Sequence, residues 1–279
     1  MNYIITNESI NQFKNWLKTE DRSNGTIEKY IRDIHSMCSW LEGRALTKES
    51  LTEWKEHLKS AGYSPNTVNS MLAAANTFCR FAGLGFKVKF LKIQRKMFCD
   101  DKKELSKQDY EKLIESAIKK GKERLAMIIE TIGATGIRVS ELKYITVEAA
   151  KLGRTEISLK GKIRTILLPK KLCKKLLKYA KKNKIASGEI FITRSGKGIA
   201  RKQVWAEMKV LCNESGVAAS KVFPHNLRHL FARTFYRTTK DVSKLADILG
   251  HSSIETTRIY LLSTGEEHNK LLERMCLVC

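Results

Sequence analysis

Four apolar stripes of helical period fill residues 1 to about 84, and they bound what this chain can fold into. In the first, Ile10, Phe13 and Leu17 fall at i, i+3 and i+7, with Trp16 beside them. Ile27, Tyr30, Ile31, Ile34, Cys38 and Leu41 form a longer stripe, and Ser23, Asn24 and Thr26 are its candidate N-caps. Thr47 is placed to cap a third helix with Leu51, Trp54 and Leu58 inward and Gly62 as its stop. Ser64-Pro65-Asn66-Thr67 restarts the chain; Val68, Met71, Leu72, Ala75 and Phe78 make the fourth stripe, closed by Gly83 and Gly85. Each stripe must bury against another, so this region reads as a small helical bundle, with its aromatics in the core rather than in a cofactor site.

The helical period is lost from Phe86 to Lys103, which reads as a linker carrying Lys87, Lys89, Lys92, Arg95 and Lys96. It is either a solvated tether or a strap along a phosphate backbone, where each neutralised phosphate releases counterions. Overall charge favours the strap: the formal net charge is +23, and such an excess points to a polyanionic partner, nucleic acid or an anionic membrane surface. A basic protein that is merely soluble is the plainer alternative, but the basic residues cluster.

No apolar run reaches the roughly 18–20 residues of a membrane span. Met1-Asn2-Tyr3-Ile4-Ile5 lacks the basic segment and apolar core of a secretory signal. The seven cysteines provide no matched pair of Cys-x-x-Cys motifs, since Cys276 and Cys279 stand alone at the end of the sequence. A metal site is therefore not expected, and a reduced, cytoplasmic protein fits best.

The second half is mainly helical with one hairpin. Ser106 is a candidate N-cap for a helix burying Tyr110, Leu113, Ile114 and Ala117, and Leu125 to Ile132 continues as a buried helix. In Thr135-Gly136-Ile137-Arg138-Val139-Ser140-Glu141-Leu142, Arg138 and Glu141 are i and i+3, so the carboxylate can hold the guanidinium in one orientation for a ligand. An exposed helical ion pair is the bland alternative. Glu156 to Lys160 and Ile163 to Leu168 read as strands around a tight Gly161-Lys162 turn, with Lys160 and Lys162 at its tip. Lys171 to Lys184 is a strongly basic helix, and Arg201 to Cys212 is an amphipathic one carrying Trp205 and Met208. Between Lys151 and Val210 the only acidic residues are Glu156, Glu189 and Glu207, so this region is the expected electrostatic footprint on nucleic acid, including Lys162, Arg164, Arg201 and Lys202.

Pro224 to Tyr260 concentrates the candidate chemistry. Pro224 suits a helix start, and His225 and Arg228 share one face of that helix near an end that favours anions. Leu249-Gly250 reads as a helix stop before His251, and Thr256 to Tyr260 opens the next apolar-periodic segment. A phenol held beside such a cluster could attack a phosphate. Taken singly, His225 and His229 could be metal ligands, His251 a helix-end histidine and Tyr260 a core residue; no glutamate follows His225 as a zincin helix needs.

Together these motifs resemble the tyrosine site-specific recombinases, or phage-integrase family, of the Xer-like two-domain type. The match runs from Thr135–Leu142 through the Lys160 hairpin to His225-Asn226-Leu227-Arg228-His229, Leu249-Gly250-His251-Ser252 and Tyr260. Tyr30-Ile31-Arg32-Asp33 and Gly62-Tyr63-Ser64-Pro65-Asn66-Thr67 extend it into the first half, so it covers nearly the whole chain. The resemblance implies that Tyr260 is the nucleophile and forms a 3′-phosphotyrosyl link. Arg138 and Arg228 would grip the scissile phosphate, and His225 would assist proton transfer at the tyrosine. His251 would donate to the phosphate, and Lys160 would protonate the departing 5′-oxygen. Glu141 would orient Arg138. Lys162 is the rival for the lysine role, because the hairpin is one residue shorter than the common family pattern.

The resulting expectation is a mainly α chain. A SAM-like four-helix core-binding domain spans 1–85, a basic linker 86–103 and an α+β catalytic domain with a small antiparallel sheet 104–279, its tail starting near 262. The two domains would clamp duplex DNA, acting as a dimer on a core site and a tetramer in synapsis, near the nucleoid, with accessory DNA-bending or directionality proteins as possible partners. The tail, with Leu271, Leu272, Met275 and Leu277, would pack on its own body or on a neighbour. No cofactor is expected, since phosphotyrosine preserves the bond for rejoining. A type IB topoisomerase-like relaxase and a catalytically silent DNA-binding protein are the alternative functions.

Overall fold

The computed structural model describes residues 3–94, 103–159, 162–251, 253–261 and 273–275. The chain divides into two compact units, Met1–Arg95 and Lys96–Cys279.

The first unit contains α1 (Asn7–Thr19), α2 (Asn24–Leu41), α3 (Lys48–Ser60) and α4 (Pro65–Phe81). The four sequence stripes are its inward faces: Phe13, Leu17, Ile34, Leu51, Trp54, Leu72 and Phe78 are all buried. The helix starts follow from local chemistry. Ser23, Thr47 and Ser64 accept from the backbone N–H of Thr26, Ser50 and Thr67, and each such cap stabilises a helix by about 0.5–2 kcal/mol. Pro65 opens α4 where its missing N–H costs nothing.

The segment expected as a linker is docked over its first part. Asn76 exchanges two hydrogen bonds with the backbone of Val88, both at 2.9 Å. Asn69 does the same with Leu91, at 2.9 and 2.7 Å. A side-chain amide presents the same donor and acceptor as a peptide, so α4 zips this irregular chain onto the bundle, with Val88 in its core. Lys87, Lys89 and Lys92 stay exposed along the zipped segment. Arg95 and Lys96 lie outside the described residues.

The second unit begins with α5 (Lys107–Lys119) and α6 (Glu123–Thr135), followed by a short 3-10 helix at Val139–Tyr144 and α7 (Val147–Leu152). β1 (Arg154–Leu159) and β2 (Lys162–Leu167) then pair antiparallel, with Leu159 opposite Lys162. The strand pairing therefore starts before the expected Glu156 and the second strand opens at Lys162; Lys160 and Gly161 lie outside the described residues. α8 (Lys170–Lys182), α9 (Arg201–Ser215), α10 (Pro224–Thr239), α11 (Val242–Leu249) and α12 (Ile254–Arg258) complete the unit, with Tyr260 on a final 3-10 turn at Ile259–Leu261. Its core joins α5–α9 to the inward residues of the hairpin, Ile157 and Ile166. A smaller cluster of Ala232, Leu245, Leu249 and Tyr260 sits where α10, α11 and the final turn meet. Of the expected tail only Glu273 to Met275 is described, and Met275 is exposed. Leu271, Leu272 and Leu277 lie outside the described residues. Among the described residues no helix is long and apolar enough to cross a membrane.

Candidate active site

Two left-handed glycines set the geometry. Gly136 ends α6 at φ 65°, and Gly250 ends α11 at φ 64°. Each reverses the chain just before a candidate residue, Arg138 in one case and His251 in the other. Neither position has room for a side chain: a Cβ on Gly136 would lie 2.3 Å from Phe231, and one on Gly250 would lie 2.3 Å from Arg164.

Arg138 sits at the N-cap of the 3-10 helix. Glu141 accepts from its backbone N–H at 2.8 Å and from its guanidinium at 3.1 Å. Glu141 is fully buried, which removes the exposed-pair reading and makes it a fixed support for the half-exposed Arg138. α10 carries His225 and Arg228 on one face, and Arg228 is only 1% exposed. Its guanidinium donates to the Gly136 carbonyl at 2.6 Å and the Leu249 carbonyl at 2.8 Å, so both helix-end carbonyls orient it. Its Nε has no aligned acceptor among the described residues.

Arg228 also lies 2.9 Å from Nε2 of His251, whose Nδ1 lies 2.8 Å from the Thr257 hydroxyl. A guanidinium can only donate, so Nε2 accepts here and the proton sits on Nδ1. That arrangement differs from the expected role of His251 as a phosphate donor. Tyr260 is 6% exposed and caged by imidazoles. His251 stacks on it at 5.6 Å, His225 is tilted at 6.0 Å, and His229 meets it edge-on at 4.5 Å.

The cluster's positive charge and burial act on its own titrations. Desolvation, then Arg228 and Arg138, hold His225 below the ordinary histidine pKa, even though the residue keeps an accessible edge. His251 is pushed down to about 4 by burial, then by Arg228, Arg138 and Arg164. His229 is also lowered to about 4, by burial first and then by His225, Arg233 and Arg228. Burial, followed by Arg138, lowers Arg228, and the Tyr260 hydroxyl acts in the opposite direction. Neutral imidazoles are thus held among fixed cations, a field that favours an incoming anion.

Arg164 corrects the expected DNA surface. Its side chain is 9% exposed and turned inward, with the guanidinium 3.3 Å from Glu141 and donating to the Leu249 carbonyl. Burial lowers its pKa to about 10, so it remains charged at neutral pH. Strand alternation carried the signal: Arg164 shares its face with buried Ile166, while Ile163 and Leu167 point to solvent. Arg201 and Lys202 are exposed at the start of α9 and border an open cleft of about 870 Å³ with Trp205, Arg138, His225 and Arg228. The structure therefore brings Arg138, Glu141, His225, Arg228, His251 and Tyr260 together. Lys162 opens β2, while the expected catalytic Lys160 lies outside the described residues. His229, Arg164 and Thr257 are the neighbours that sequence reasoning missed as parts of this site. Among the described residues no group of three or more His, Cys, Asp or Glu is arranged to hold a metal.

The phage integrase family pattern matches residues 103–267, and the phage integrase N-terminal SAM-like domain matches 10–83. The chain belongs to the phage integrase family. Tyrosine recombinase XerA of Pyrococcus furiosus is 28% identical over 284 residues, covering 98% of this chain and 96% of the relative. Two solved structures share the integrase fold. XerH bound to difH in a pre-cleavage complex has a TM-score of 0.66 at 15% identity, covering 97% of this chain and 99% of XerH. A lambda integrase tetramer on a Holliday junction has a TM-score of 0.74 at 16% identity, covering 93% of this chain and 77% of that integrase. As an integrase-family enzyme of the tyrosine recombinase type, the chain cuts and rejoins DNA at specific sites. The comparisons give no support to the relaxase or the silent DNA-binding protein.

Proposed function

We propose that this recombinase uses Tyr260 as its nucleophile and forms a 3′-phosphotyrosyl intermediate at each cut. The observation that carries this reading is the convergence of a buried phenol, three imidazoles and two braced arginines on one face. The Tyr260 oxygen attacks the scissile phosphorus, and the P–O5′ bond breaks. Arg138 and Arg228 stabilise charge on the non-bridging oxygens, each held by bonds that exist before the phosphate arrives. His225, kept neutral, is fit to assist removal of the phenolic proton. Lys160 protonates the departing 5′-oxygen, with Lys162 as the alternative. Attack by another strand's 5′-hydroxyl on the phosphotyrosine reverses these steps and completes strand exchange.

His251 has a conditional role. Its Nε2 accepts from Arg228, so it donates to a phosphate oxygen only once the phosphate's negative charge has raised the imidazole pKa and Nε2 has taken up a proton, while the Gly136 and Leu249 carbonyls keep Arg228 in place.

Duplex DNA is the partner, bound by both units, the 1–85 core-binding domain and the 104–279 catalytic domain, with residues 86–103 as the basic strap whose first part lies along α4. A dimer on a core site and a tetramer in synapsis are the assemblies, with the tail docking between copies. Work on DNA puts the enzyme in the cytoplasm at the nucleoid. Accessory bending or directionality proteins would select among integration, excision, inversion and dimer resolution.

The test is covalent trapping on fragmented DNA of the source cell, followed by denaturation and sequencing of protein-linked strands. Adducts enriched for one inverted repeat and lost in Tyr260→Phe are expected. Adducts scattered over all sequences, or unchanged in Tyr260→Phe, contradict the proposal.

A further inference from the structure

Behind Tyr260 lies a second polar layer that the proposed chemistry does not use. Residues 103–105, just before α5, are fastened along α10. The Lys103 carbonyl accepts from Asn226 at 2.6 Å, and the Leu105 carbonyl accepts from Arg233 at 2.8 Å. Between them Glu104 turns its side chain toward the helix, where it is 17% exposed. One carboxylate oxygen lies 3.1 Å from the Arg233 guanidinium, and the other lies 3.9 Å from Nδ1 of His229. His229 in turn meets the Tyr260 ring edge-on at 4.5 Å and the His225 ring at 4.8 Å.

We propose that Glu104 is a positioning residue for Tyr260, acting through His229. Three observations carry it. The carboxylate is largely withdrawn from water, yet Arg233 engages one of its oxygens, and among the described residues that oxygen has no aligned hydrogen bond. Its other oxygen faces the imidazole that lies against the phenol. The backbone on both sides of Glu104 is tied to α10, which fixes the point from which its side chain reaches His229. At 3.9 Å the Glu104 carboxylate acts on His229 through its charge rather than a hydrogen bond, and a negative charge on the Nδ1 side favours the Nδ1–H tautomer and one ring orientation. Here that fixes one wall of the cage holding the nucleophile. In-line attack is sensitive to such placement: a 1 Å displacement of a reacting group costs on the order of 100-fold in rate.

This inference rests on Tyr260 being the nucleophile. Its test uses the full-length protein on a nicked duplex bearing the site recovered by adduct sequencing. DNA affinity and the single-turnover rate of adduct formation are measured separately. Glu104→Ala is expected to lower the rate about 10-fold to 100-fold while leaving DNA affinity unchanged. Glu104→Gln, which keeps an oxygen acceptor, is expected to fall between Ala and wild type. In a His229→Phe background, replacing Glu104 should cause no further loss, because its effect passes through that ring. If Glu104→Ala does not fold, the same cycle is run with Glu104→Gln, for which a wild-type rate overturns the proposal. A wild-type rate for Glu104→Ala, losses that multiply in the double variant, or affinity falling in step with rate also overturns it. Failure of the wild-type protein to form a Tyr260-dependent adduct would instead defeat the nucleophile assignment on which the cycle depends.

Discussion

Arg164 and Arg228 donate to the same oxygen, the carbonyl of Leu249 at the end of α11. Arg164 also pairs with Glu141, the carboxylate that braces Arg138. The hairpin strand β2 is thereby joined to the supports of both candidate phosphate-gripping arginines. Arg164→Met should leave fully buried Glu141 with Arg138 as its remaining guanidinium partner. Because Arg138 still compensates the Glu141 charge, the loss is that of one charge-assisted contact, about 1.5–3 kcal/mol, and a fall of that order in urea-unfolding free energy is expected. Unchanged stability would show that the pairing is not important to the fold.

The inward turn of Arg164 separates it from the exposed basic residues in a binding measurement. Replacing Arg201 or Lys202 with alanine should reduce the slope of log affinity against log salt by about 1 for each phosphate that is no longer neutralised. Arg164→Met should leave that slope unchanged in titrations of the folded variant. A slope reduced by Arg164→Met would return this residue to the DNA surface.

Much of this architecture was legible because it is local. Stripes such as Phe13–Leu17 and Val68–Phe78 require only helical spacing, and caps such as Thr47 require only their neighbours. The site motifs were legible because the resemblance joined segments distant in sequence, from Arg138 to Tyr260. What sequence reading missed depends on tertiary placement. Asn69 and Asn76 look like ordinary polar residues of α4 until they bind the backbone of Leu91 and Val88. Glu104 meets His229 and Arg233 only after the chain before α5 lies along α10. Arg164 was the exception: its inward face was available from strand alternation, but its charge suggested the surface.

Stability should depend on pH through His229 and His251. Both have folded-state pKa values of about 4, below the ordinary 6.5, so the unfolded chain takes up more protons between these values. Their contribution is complete above about 6.5 and declines as pH falls toward about 4. Urea midpoints should decline across this window and flatten in the His229→Gln, His251→Gln double variant. An equally steep decline in that variant would assign the effect to other groups.

Gly136 joins backbone conformation to the site. Gly136→Ala would place a Cβ 2.3 Å from Phe231 at a residue with φ +65°, and would disturb the carbonyl that holds Arg228. Overpacking of this kind costs about 1–3 kcal/mol. The thermal midpoint should fall, and adduct formation should slow even at temperatures where the variant remains folded. Full activity in the folded variant would show that the Gly136 carbonyl does not set Arg228.

The most direct measurement locates the covalent bond. The trapped adduct is digested with nuclease and trypsin, and the peptide beginning at Ile259 is sequenced by mass spectrometry. A nucleotide joined through its 3′-phosphate to Tyr260 is the predicted result. A link to another residue, or a 5′-phosphate link, would contradict the proposed chemistry.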